Sequence, residues 1–132
     1  MSRDRIGSGL LLVAGLGFLI TAGLHLTGFD SVLRLVSDVP DDLKALGPAL
    51  WLSFSLDYVV LGLVLLAAWL GATPSRLVVA AVAIAPIGAA WLQVQFLGFI
   101  PPTVILIVLG VLTFAAAGLL NPQPEGVGRP AA

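Results

Sequence analysis

A chain of 132 residues that is 59% hydrophobic and 10% charged, with a mean hydropathy of +1.11, departs far from soluble domains, where about a quarter of residues are charged. A net charge of −1 without any basic cluster excludes a nucleic-acid footprint and a polybasic patch for anionic lipid. The absence of cysteine excludes disulfides, thiolate nucleophiles and cysteine-ligated metal centres, and a lone histidine argues against a transition-metal site, so neither metal nor cofactor is expected.

The first apolar run covers residues 6–26. Arg3 and Arg5 ahead of Leu10 to Ile20 resemble the start of a secretory signal, but the run continues to Leu26 and no small-x-small cleavage site follows it. A retained helix is expected. Thr21 and His25, at i and i+4, share a face that continues back to Gly17.

The connection from Thr27 to Gly47 is the longest piece outside the apolar runs. Phe29, Val32, Leu33, Leu35 and Val36 alternate with Asp30, Arg34 and Asp38, the pattern of a short amphipathic helix lying in a membrane interface. Pro40, Asp41 and Asp42 end it, with a further turn expected through Leu43, Ala45 and Leu46. Such a segment could be a lid over one end of a bundle or a connector that shields its apolar side in lipid.

The second run, residues 48–70, carries Asp57, a single carboxylate in the otherwise uncharged stretch from Ala45 to Gly71. An aspartate at a helix centre in a bilayer costs roughly 2.5 to 3.5 kcal/mol, and such groups are usually paired or face a cavity. Asp57 would lie roughly 13 Å into its helix. Ser53 shares its face at i−4, and Tyr58 follows it.

The third run, residues 76–100, contains Pro86, which is expected to kink the helix and free backbone carbonyls. Ala85, Ala89 and Gln93 form one stripe, whereas Gln95 projects from another side with Gly88 and Trp91. The fourth run covers residues 102–120. Residues 121–132 have the composition of a disordered cytoplasmic tail. Pro48 and Pro102 suit first helical turns, and Gly71, Thr73 and Pro74 read as a stop and restart.

These runs predict an all-α fold, a single domain over residues 1–120 that forms an integral membrane four-helix bundle. The short second and third connections predict packed, antiparallel neighbours. Arg3, Arg5, Arg76 and Arg129 fall on one side of the membrane, Arg34 and Lys44 on the other. That bias predicts N-in and C-in, with the amphipathic segment outside, in a multi-pass protein of a bacterial cytoplasmic membrane.

With this orientation the polar groups gather in the outer half. Asp57 and His25 are the candidate catalytic residues, and Ser53, Tyr58, Trp91, Gln93, Gln95 and Thr21 the candidate ligand-binding ones. Trp51, Trp69 and Trp91 also fit an aromatic belt. The leading functional expectation is a pocket centred on Asp57 for an apolar small molecule or membrane lipid. Acid-assisted isomerase, cyclase or epoxide-opening chemistry at Asp57 is compatible with it. The alternatives are a non-catalytic accessory or assembly subunit of a membrane complex, or a homo-oligomer, and proton-coupled transport.

The aromatic-rich opening LWLSFSLDY of the second helix, the long segment after the first, and the GFIPP turn into the fourth resemble in layout the DoxX-like and neighbouring small bacterial four-helix membrane families. The resemblance covers Leu10 to Leu120 and implies the fold. DoxX itself is associated with quinone-linked sulfur oxidation, and no residue pattern here transfers that activity. The chain also resembles small multidrug transporters in size and span number. Their essential acid is a glutamate in the first helix, where this chain has none.

Overall fold

The computed structural model describes residues 3–40, 44–71 and 76–120. The tail at 121–132 and the expected turn at Leu43 lie outside the described residues. Five helices and no strand are found among those described: α1 (Arg3–Thr27), α2 (Phe29–Leu35), α3 (Leu46–Trp69), α4 (Arg76–Leu97) and α5 (Pro101–Leu119). All but α2 are long and apolar enough to cross a membrane. Even α5, at 19 residues, is about 28 Å long against a hydrocarbon core of about 30 Å.

Local chemistry sets the helix ends. Gly98 adopts φ +77, a left-handed conformation that stops α4 three residues short of its expected end. Ile100 is then extended, as a residue before proline prefers, and Pro101 and Pro102 open α5 where a missing N–H costs nothing. Pro86 is buried inside α4, which remains helical across it. α2 packs against α3 through Val32, while Leu33, Leu35 and Arg34 are exposed.

The core is built mainly from small side chains around a few large ones. Leu11, Ala14, Phe18 and Ala22 of α1 meet Tyr58 and Leu65 of α3 and Leu106, Leu109, Ala116 and Ala117 of α5. Gly15 and Gly62 let the α1 and α3 backbones approach each other. A Cβ added at Gly62 would stand 2.9 Å from the Gly15 carbonyl oxygen, and one at Gly15 would stand 3.1 Å from that of Gly62.

The spatial order differs from the chain order. α3 packs on α1, α1 on α5, and α5 on α4; among the described residues α3 and α4 make at most marginal contact. The short α3–α4 connection therefore joins helices that do not form a packed pair, correcting the expectation drawn from its length. The outer surface is apolar, with Ile20, Leu56, Phe96 and Phe114 all largely exposed. Such a surface suits lipid far better than water.

Candidate functional site

The best-formed cavity among the described residues, about 320 Å³, lies at the end of the bundle that holds the α1–α2 connection and the α4–α5 turn. Four helices build it. Thr21 and His25 come from the last turns of α1, Trp51 and Tyr58 from α3, Gln93 from the end of α4, and Ile105 and Leu106 from the start of α5. No Asp, Glu, Lys or Arg among the described residues lines it, and no residue of α2 does. Of the two expectations for that segment, a lid or a connector, α2 does not meet the first, since it packs along α3.

His25 is the most highly constrained polar group on the wall. Its ring stacks on the Trp51 indole with centroids 3.8 Å apart and planes at 14°, and Tyr58 stands edge-on to it at 5.7 Å and 86°. Its Nδ1 lies 2.9 Å from Ser55 Oγ, and its backbone carbonyl accepts the Trp51 Nε1–H at 2.8 Å. That carbonyl, one of the last of α1, also accepts the Gly28 N–H at 3.1 Å, so the indole adds a second hydrogen bond at the helix end. Gly28 makes room for this arrangement, since a Cβ there would come within 2.7 Å of Trp51 Cζ2.

On the opposite wall the fully buried Thr103 hydroxyl donates to Gln93 Oε1 at 3.0 Å, fixing the amide. Thr21 Oγ1 donates to the Gly17 carbonyl at 2.8 Å, the back-bonding that satisfies a helical threonine in apolar surroundings. The Tyr58 hydroxyl has no hydrogen-bond partner among the described residues. It is not sealed in either, because no buried side-chain N or O atom is left unpaired. Tyr58 is itself a residue of the cavity wall.

The structure thus brings together Thr21, His25, Tyr58 and Gln93 and leaves the other candidates outside. Asp57 is exposed, lines no part of the cavity, and has no hydrogen bond or ion pair among the described residues. The cavity is thus lined by His25 and not by Asp57, on which the pocket was expected to centre. Ser53 is exposed and back-bonds to the Ala49 carbonyl at 2.9 Å. The reason is the rotational setting of α3, whose inward line runs Trp51, Ser55, Tyr58, Gly62 and Leu65. At about 100° per residue, Ser53 and Asp57 lie about 200° beyond Trp51 and Ser55 respectively, on the outer side.

Trp91 and Gln95 are likewise exposed, and neither lines the cavity. α4 turns Val79, Ala83, Pro86 and Ala90 inward, which keeps Gln93 at the cavity and sends Gln95 outward. Three contributors are not among the candidate site residues: Trp51, read as an aromatic-belt residue, Ser55 and Thr103. Ser55 was findable, because with Gly62 it marks a small-residue line at i and i+7 that suits close helix packing.

Compared with known family models, curated proteins and solved structures, the chain matches none. The likeness to the DoxX-like group therefore rests on layout alone.

Proposed function

We propose that this is a multi-pass membrane protein that binds an apolar small molecule or lipid in the cavity around His25. The observation that carries this reading is a volume of about 320 Å³ with apolar walls and three convergent polar groups, His25, Tyr58 and Gln93. Ligand sites have this composition and begin at about this size. In the N-in orientation favoured by the arginines, the cavity lies towards the outer leaflet. Because Asp57 is outside the cavity, binding is proposed rather than acid catalysis by that carboxyl.

The test is native mass spectrometry with lipid extraction of the wild type beside His25→Ala and Gln93→Leu, with Asp57→Asn as an outward-facing control. A co-purifying apolar molecule retained by the wild type and Asp57→Asn, and lost from the other two, supports the reading. Equal recovery from all four proteins, or none from any, counts against it.

A second reading, a subunit packed against another protein, is favoured by Asp57 itself. An acid near mid-span that faces away from its own bundle needs a polar neighbour or a large energetic offset. In this reading the Ser53–Asp57 face of α3 is covered by a partner or by another copy. Mass measurement of the purified particle, wild type against Asp57→Leu, separates the cases: a smaller particle for the variant supports a covered face, and two identical monomers exclude self-association there.

A further inference from the structure

Ser55 has one hydroxyl hydrogen, and the helix has claimed it: Oγ donates to the Trp51 carbonyl at 3.0 Å. His25 Nδ1 lies 2.9 Å from the same oxygen, and with the hydroxyl hydrogen given to the carbonyl, which can only accept, the hydrogen in that contact comes from Nδ1. In the neutral ring Nε2 then holds a lone pair. Trp51 covers one face of the imidazole and Tyr58 stands edge-on to it. Nε2 is the ring's remaining polar atom, and His25 is a residue of the cavity wall.

Gln93 is the converse. With Oε1 occupied by Thr103, its amide nitrogen keeps two N–H donors, and the Tyr58 hydroxyl supplies another. Among the described residues the wall has no Asp, Glu, Lys or Arg to balance a full charge in apolar surroundings.

From this pattern we infer that the cavity receives the head of an uncharged, hydroxyl-bearing lipophile. Its hydroxyl donates to His25 Nε2 while its oxygen accepts from Gln93 Nε2 or the Tyr58 hydroxyl. This rests on reading the cavity as a ligand site. The volume of about 320 Å³ is about twice that of an apolar cavity of about 150 Å³ able to hold benzene, enough for the head and a ring or short chain. A longer tail has the unpacked side between α3 and α4 through which to reach lipid.

The test uses the full chain in detergent with Trp69→Phe and Trp91→Phe, both exposed positions outside the cavity, so that Trp51 emission reports occupancy. The probes share one tail: dodecan-1-ol, its methyl ether, dodecanoate and dodecyltrimethylammonium. The alcohol should bind roughly tenfold more tightly than the ether, which leaves His25 Nε2 unpaired, and more tightly than either ion. Gln93→Leu should weaken alcohol and ether by the same factor. His25→Phe should abolish the alcohol's advantage.

Ser55→Ala, a smaller change that frees Nδ1 and so the choice of tautomer, should narrow that advantage with helix content unaltered. Ser55 is a positioning residue in this account. Equal binding of alcohol and ether, tighter binding of either ion, or an alcohol preference untouched in both His25→Phe and Ser55→Ala overturns the hydroxyl inference and leaves the binding reading in place. No change in Trp51 emission and no retained mass with any probe overturns both.

Discussion

Trp51 holds His25 twice, by stacking on its ring at 3.8 Å and by donating its indole N–H to its backbone carbonyl at 2.8 Å. One side chain of α3 thereby fixes both the orientation of the imidazole and the end of α1. Trp51→Phe keeps an aromatic face but loses the hydrogen bond, and should destabilise by about 1 kcal/mol. Trp51→Leu removes the stacking as well and should cost more. Thermal melts followed by circular dichroism in detergent give the order wild type, Phe, Leu; equal melts for the two variants would show that stacking contributes nothing.

Gly62→Ala should be costly for its size. The new methyl would meet the Gly15 carbonyl oxygen at 2.9 Å, and backbone on both sides leaves only a helix shift as relief, worth about 1 to 3 kcal/mol. Gly88→Ala is the contrast, because nothing lies within 4 Å of its Cβ position and helix propensity favours alanine by up to about 1 kcal/mol. The two melts should move in opposite directions.

Thr103→Val keeps the shape of a fully buried residue and deletes the donor to Gln93 Oε1. The amide oxygen is then free to turn, so any ligand held by the amide N–H groups should bind severalfold more weakly, with about 1 kcal/mol lost from stability. Titrating the Trp51 reporter with dodecan-1-ol checks the first, and a thermal melt checks the second.

Asp57→Asn and Ser53→Ala should leave that titration unchanged, since both side chains lie on the outer face of α3. A loss of binding in either variant would mean that the outer face communicates with the cavity.

The four long helices were legible because an apolar run of about 20 residues has few other uses. Boundaries at residues 6–26 and 48–70 fell within three residues of Arg3–Thr27 and Leu46–Trp69. The polar end was legible too, in Thr21, His25 and Gln93. What failed was rotation. α3 is apolar all round, so periodicity does not show which face turns inward, and the rule that intramembrane acids face the interior pointed to Asp57. Packing followed Ser55 and Gly62 instead, because small residues let α1 approach. The open side between α3 and α4 was hidden by a sound prior, that short connections join packed neighbours.

That open side leaves the protein as two helix groups joined through one packed pair, α1 and α5. α1 to α3 form one, α4 and α5 the other, and their common surface is the antiparallel line where Gly7 meets Leu119 and Gly17 meets Leu109. A chain severed between residues 71 and 76 should reassemble from co-expressed halves along this line. Neither half owns the cavity: His25 and Tyr58 belong to one, Gln93 and Ile105 to the other. The site comes into being only when the two meet.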